Sequence, residues 1–182
     1  MNIEKISLDT VNSTNTYAKK HKHSFKKKSL TVITAEEQTA GYGQFQRPWV
    51  SPKGENLYCT FSFEMPLSFR EKVSTLTLEM AKILQSVLQA NGFSPTLKWP
   101  NDVLINEKKV AGVLSEIEFG KTIEVILGFG LNVNMEKDLK KIDQKATSLK
   151  AETGDFWDKE KLLNEIIETI QVRLCALSSS FA

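Results

Sequence analysis

Histidine and cysteine are nearly absent from this sequence, with two of each among 182 residues. Cys59 and Cys175 stand far apart in no paired motif, so neither a disulfide framework nor a zinc site is expected. His21 and His23 both fall in the lysine-rich stretch Lys19–Lys28. That placement leaves no Ser-His-Asp set to read, and a solvated turn accounts for both histidines. No apolar run reaches the roughly 18 residues that a membrane span needs. The N-terminus, Met1-Asn2-Ile3-Glu4-Lys5, lacks the apolar core of a signal peptide. An excess of one charge is missing as well. The net charge is +2, and the six lysines between Lys19 and Lys28 outweigh it, leaving the remainder net negative. A general nucleic-acid binder is expected to be more basic, and those lysines have no aromatic stacking platform beside them. These absences lead to a soluble cytoplasmic protein with no nucleic-acid and no membrane partner. At this length it is expected to form a single domain with a real core.

What is there has the pattern of an α+β protein. Thr14–Lys20 reads as a short helix behind the capping side chains of Asn12-Ser13-Thr14-Asn15. Leu30–Ala35 is a β-prone run. Leu57–Phe63 alternates, with Leu57, Cys59, Phe61 and Phe63 on one face. Val73–Asn91 carries a helical stripe of Leu76, Met80, Ile83, Leu84, Val87 and Leu88, and Gly92 ends it. Strands are expected at Leu97–Trp99, Val110–Glu118 and Thr122–Leu127, with a tight turn at Gly120-Lys121. A last helix is expected over Asp158–Leu174. Strands in the middle and helices around them predict a mixed, largely antiparallel sheet with helices on one face.

Several segments carry chemistry. Lys98-Trp99-Pro100-Asn101-Asp102, followed by Lys109-Val110-Ala111-Gly112, sets cations, a carboxylate, an amide and a small-residue backbone within fifteen residues. A lysine there can face phosphate oxygens as a compact charge, and Asp102 can meet a magnesium ion. The alternative is a strand, a turn and a surface hairpin. Gln38 to Pro52 is a long loop holding Gly41-Tyr42-Gly43, Gln44, Arg47 and Trp49. Long loops inside compact domains are commonly functional lids, backbone N–H groups around paired glycines can nest an anion, and Arg47 can fork onto phosphate or carboxylate. Gly128–Asn134 reads either as a glycine bend at a strand end or as a backbone wall for a ligand. Ser13-Thr14-Asn15 reads as helix capping or as ligand contacts at a helix start.

Taken in order, Ser13-Thr14-Asn15, Gln38, Gly41–Trp49, Ser51-Pro52, Gly54, Asn56-Leu57-Tyr58, Lys98–Asp102, Lys109–Gly112 and Gly128–Asn134 resemble the catalytic domain of biotin–protein ligases. The resemblance implies the biotin ligase-like fold, shared with class II aminoacyl-tRNA synthetases. It implies ATP and biotin as substrates and Mg2+ as the metal. It also implies formation of biotinyl-5'-AMP, and transfer of biotin to a lysine of the biotin carboxyl carrier protein of acetyl-CoA carboxylase. It would place Ser13, Thr14, Gln38, Gly41, Gly112, Gly128 and Gly130 around biotin. Gly43, Gln44, Arg47, Trp49, Lys98, Asn101, Asp102 and Asn132 would lie around the adenylate, with Asp102 also at the metal. Lys109 and Arg47 would be the catalytic cations. A lipoate or octanoate transferase of the same fold, and a biotin-binding protein without transfer activity, are the alternatives.

The chain departs from the family pattern in its loop, which usually reads Gly-Arg-Gly-Arg-x-Gly-Arg. Tyr42 and Gln44 replace the first arginines and Gln46 replaces the later glycine. Each charged hydrogen bond lost near a phosphate would weaken the hold on the adenylate by about 1–3 kcal/mol. The sequence also shows no strands for the family's C-terminal small β-barrel and no N-terminal DNA-binding domain, so one catalytic domain over 1–182 is expected. It leaves monomer and homodimer equally open.

Overall fold

The computed structural model describes residues 2–142 and 144–179, with side chains described as far as residue 174 apart from that of residue 143. The side chain of Cys175 lies outside the described residues. Seven strands form one sheet: β1 (Asn2–Val11), β2 (Ser29–Gln38), β3 (Leu57–Met65), β4 (Thr96–Lys98), β5 (Asp102–Ile105), β6 (Lys108–Phe119) and β7 (Ile123–Leu131). Their spatial order is β1-β2-β3-β7-β6-β5-β4. Only β1 and β2 pair in parallel, and every other neighbour is antiparallel. The helices are α1 (Thr14–His21), α2 (Leu76–Ala90), α3 (Leu149–Thr153) and α4 (Lys159–Ser179).

The two long helices share one face of the sheet, as the sequence predicts. The apolar stripe of α2 and Leu162, Ile166, Ile167 and Ile170 of α4 meet Leu30, Val32, Phe61, Val113, Val125, Leu127 and Phe129 from the strands. Each such side chain, once fully buried, contributes about 1.5–3 kcal/mol. The short α1 is the exception to a one-faced arrangement. It lies on the opposite face, where Ala18 packs on Ile33 and Ile126. That is why β3 buries both faces, with Tyr58, Thr60 and Ser62 covered as well as Leu57, Cys59, Phe61 and Phe63.

Other differences from the expected elements have local causes. α2 begins at Leu76, and Leu67–Thr75 forms a 3-10 helix before it. The hydroxyls of Ser74 and Thr75 donate back to the carbonyls of Glu71 and Lys72, which favours that tighter winding. Gly128–Leu131 does not bend; it continues β7, because β3 and β6 pair with it on both sides to its end. The expected hairpin after Asp102 includes a strand of its own, β5. Asn106 and Glu107, at φ 50° and 61°, make the two-residue turn into β6. Asp158 Oδ1 accepts from the backbone N–H groups of Glu160 and Lys161 and so caps the start of α4.

Candidate active site

One end of the sheet, on the α1 side, opens into a cavity of about 510 Å³. Its first wall is the start of α1. Ser13 stands at the N-cap, its side chain makes no capping hydrogen bond, and it lines the cavity. Thr14 donates to Gln38 Oε1 through both its backbone N–H (2.9 Å) and its hydroxyl (3.2 Å). Gln38 Nε2 donates to Ser51 Oγ at 3.1 Å. Thr60, beneath them on β3, shares its one hydroxyl proton between Asn15 Oδ1 at 2.6 Å and Thr14 Oγ1 at 2.8 Å. Thr14, Asn15, Ser51 and Thr60 are buried, Gln38 is half-buried, and all are joined by these bonds, so their orientations are fixed.

The opposite wall carries the charge. Lys109 Nζ lies 2.7 Å from Asp102 Oδ1, an ion pair whose angle is not that of a hydrogen bond. The same ammonium stands 5.2 Å from the centre of the Trp49 ring. Lys109 is held from behind: its N–H donates to the carbonyl of Lys145 and its carbonyl accepts from Thr147, each at 2.9 Å. Asn132 donates through Nδ2 to the carbonyl of Thr147 at 3.0 Å, while its buried Oδ1 has no hydrogen-bond partner. Asn101 also lines the cavity, but its Nδ2 donates to the carbonyl of Val113 at 2.9 Å and so fastens the turn to β6.

The third wall is the glycine surface of β6 and β7, where Gly112 faces Gly130 in the ladder and Gly128 faces Leu114. The space these glycines leave is filled by the chain itself. A Cβ on Gly128 would stand 2.1 Å from Asn15 Oδ1, and one on Gly130 would stand 2.4 Å from Trp49 Nε1. At Gly112 a Cβ would meet Lys109 Cε at 3.0 Å and Trp49 Cζ3 at 3.1 Å. The indole thus roofs the wall directly.

The structure brings together all but two of the expected site residues. Lys98 is exposed on β4 and does not line the cavity, because its strand is the outermost of the sheet. Gly41 also lies outside the lining. Its part is close packing, since a Cβ there would meet Ser51 Oγ, Gln38 Nε2 and the Trp49 carbonyl at 2.7–2.9 Å. Gly43, Gln44 and Arg47 do line the cavity, with the Arg47 guanidinium 5.7 Å from the Phe45 ring centre.

Sequence reasoning missed Lys141, Ile142, Gln144 and Ala146, which close the remaining side. That polar stretch has no periodicity to announce it; Ala146 is brought in by a bridge to Lys109. It also missed Glu116, although its even spacing from Gly112 puts it on the same strand face. Cys59 is buried in the core, and burial pushes its thiol pKa up, so it is no nucleophile. Among the described residues no group of three or more histidine, cysteine or acidic side chains gathers to hold a metal. No helix there is long and apolar enough to cross a membrane.

A mixed seven-stranded sheet with a glycine wall, a helix-start polar cluster and a roofed lysine–carboxylate pair at one end defines a class of small-molecule-binding α+β domain. The chain belongs to the biotin/lipoate A/B protein ligase family, whose model matches residues 7–133. It is 32% identical over 150 residues to the bifunctional ligase/repressor BirA of Bacillus spizizenii, an alignment covering 79% of this chain and 45% of that protein. The biotin protein ligase from Aquifex aeolicus in complex with biotin and ATP superposes with a TM-score of 0.79 at 33% identity, over 94% of this chain and 70% of that one. The biotin protein ligase from Leishmania major in complex with biotinyl-5-AMP gives 0.72 at 26% identity, over 91% and 72%. The chain spans about half the length of the curated relatives it matches.

Proposed function

We propose that this chain is the catalytic domain of a biotin–protein ligase. It joins biotin to AMP at the expense of ATP, then passes the biotinyl group to a lysine of a biotin carboxyl carrier domain, such as that of acetyl-CoA carboxylase. The observation that carries the reading is the half-buried Lys109–Asp102 pair under Trp49, in a cavity whose far wall is a fixed cluster of amide and hydroxyl groups. The relatives solved with biotin, ATP or biotinyl-5-AMP support it.

Biotin's ureido ring has two N–H donors and a carbonyl, and such a group needs matched partners once buried. Ser13, Thr14 and Gln38 offer both kinds at the α1 wall. The carboxylate end then lies toward Lys109. In the first step a biotin carboxylate oxygen bonds to the α-phosphorus of ATP, and the bond to pyrophosphate breaks. Lys109 stands where it can neutralise both anions and the charge that grows on the phosphoryl oxygens. Arg47 and Lys141 add cations to the lining. The unpartnered Asn132 Oδ1 can accept from the nucleotide's amino group. In the second step a neutral lysine amine bonds to the acyl carbon, the bond to AMP breaks, and the nitrogen releases its proton.

Asp102 is the single carboxylate in the lining among the described residues. Magnesium is typically held by one or two carboxylates together with substrate phosphates and water. The donor set therefore fits a magnesium ion brought in by the nucleotide, which Asp102 would help to hold and which would supply charge neutralisation at the phosphates. A cytoplasmic setting, with ATP at hand and Cys59 kept as a free thiol, suits the reading.

The test is biotin-dependent exchange of pyrophosphate into ATP, with lipoate as the control acid. Exchange with biotin alone is expected, and Lys109→Ala should lower it by at least about a hundredfold, the usual loss for removal of a transition-state donor. Exchange with lipoate and not biotin would move the chain to the lipoate branch of its family. Biotin binding without exchange would make it a binding protein.

A further inference from the structure

The roof of the cavity hangs from a carboxylate to which the reaction just described gives no role. Glu116 stands on β6 in step with Gly112 and Leu114, and alternate strand residues share a face. Its Oε2 accepts from Asn15 Nδ2 at 2.9 Å and from the Tyr42 hydroxyl at 3.2 Å, and its Oε1 pairs with Lys19. The side chain is 22% exposed. Burial works to lower the Lys19 pKa, but the hydrogen bond and charge of Glu116 outweigh it, so the lysine stays firmly protonated. Glu116 is thus immobilised by α1 before it meets the loop.

The loop has little else to hold it. Between Gly43 and Arg47 its backbone hydrogen bonds are internal: Gly43 N–H to the Arg47 carbonyl, and Arg47 N–H to the Gln44 carbonyl. Phe45 and Gln46 adopt left-handed backbone at φ 58°, and the Phe45 ring is 85% exposed. Among the described residues, the Tyr42 hydroxyl is the one group that hydrogen-bonds residues 42–48 to the rest of the chain, and it meets the Glu116 carboxylate and, beside it, the Lys19 ammonium that Glu116 holds. A phenol on a carboxylate is a charge-assisted bond and among the stronger ones.

We propose that Glu116 is a positioning residue, tethering the roof through Tyr42 so that the loop lies over the empty cavity and ligand escape is slowed. The retention half of the proposal rests on the ligase reading; the tether itself does not. The closing experiment therefore reads each separately, on the full chain. Chymotrypsin cleavage after Phe45 in the ligand-free protein reports loop opening, and loss of radiolabelled biotin in a chase reports retention.

Tyr42→Phe removes one oxygen. It is expected to raise cleavage after Phe45 about fivefold, the opening that goes with loss of one hydrogen bond, and to speed biotin loss, with the melting temperature unchanged. Glu116→Gln keeps an acceptor for Tyr42 but loses the charge, so it should fall between the parent and Tyr42→Phe, whereas Glu116→Ala should approach Tyr42→Phe, short of it by whatever the Tyr42 contact to Lys19 retains. Adding Glu116→Ala to Tyr42→Phe should not raise cleavage further, since the phenol through which Glu116 acts on the loop is already gone. Unchanged cleavage in Tyr42→Phe overturns the tether, even if Glu116→Ala fails to fold. Raised cleavage with unchanged biotin loss overturns the retention half alone. A parent chain that binds no biotin but shows the cleavage differences sinks the ligase reading and leaves the tether standing.

Discussion

Gly128 shows how a single missing Cβ organises the site. Its absence lets the Asn15 amide lie on β7, where Asn15 joins Thr60 below it to Glu116 beside it. Gly128→Ala should therefore push Asn15 off both partners. We expect a loss of about 1–3 kcal/mol, the usual cost of overpacking, read as a lower urea midpoint. Asn15→Ala in the same chain should recover part of it, and a double variant no more stable than Gly128→Ala would refute the contact. In the sequence Gly112 reads as room beside Lys109, and Gly128 and Gly130 read either as a bend or as a wall of close approach. The sequence does not show that this chain's own Asn15 and Trp49 make that approach, because the register that aligns them comes from strands far apart in sequence. Gln44 poses the complementary question. It lines the cavity where the family pattern has an arginine, while Lys141 brings in a cation from an unforeseen segment. Gln44→Arg should lengthen the dwell of biotinyl-5'-AMP in a chase. An unchanged dwell would mean that Lys141 and Arg47 already hold the phosphate.

Glu152 on α3 gathers the elements behind Lys109. It accepts from Asn106 Nδ2 at 2.6 Å, from Lys108 Nζ at 3.0 Å and from the Thr147 hydroxyl. Burial acts to raise its pKa, but the bonds from Thr147, Lys108 and Asn106 together hold it below the ordinary 4.5. A carboxyl whose folded pKa is depressed stabilises the fold fully above its unfolded pKa, and that contribution is lost as pH falls through the folded one. Glu152→Gln should therefore be less stable than the parent at neutral pH, with the gap narrowing as pH drops below the ordinary glutamate range. A gap that stays constant with pH would show that packing, not charge, makes the difference. Neither α3 nor its partners were legible beforehand. Leu149–Thr153 is one short turn with a single buried apolar residue, Leu149, too little for a periodic signal. β1 escaped for a related reason: as an edge strand it mixes exposed and half-buried positions and shows no apolar face. The long amphipathic helices α2 and α4 were plain because their stripes are dictated by one large core. Even there, the start of α2 was set by Ser74 and Thr75 rather than by hydrophobicity.

The cavity draws its lining from α1, the roof loop, β5, β6, β7 and the stretch around Ala146, so no single segment carries it. Residues from Ser13 to Ala146 meet there only when the sheet is assembled in its order β1-β2-β3-β7-β6-β5-β4. A ligand that needs all of them binds the folded chain and has nothing to hold in the unfolded one. Binding must then raise global stability by mass action, about 2.7 kcal/mol at a hundred times the dissociation constant. For a domain of this size that corresponds to a melting-temperature rise of about 5–10 °C. Biotin alone should give part of the rise, and biotin with ATP and magnesium, which on the proposed reading yields the adenylate, should give more. Lys109→Ala should keep most of the biotin part, since the ureido contacts proposed for Ser13, Thr14 and Gln38 lie on the other wall, lose the share due to the carboxylate, and lose the increment that depends on ATP. If lipoate raised the melting temperature as much as biotin does, the polar cluster of Ser13, Thr14 and Gln38 would not be a ureido site. The second wall alone, with its lysine and carboxylate, would then define what this cavity holds.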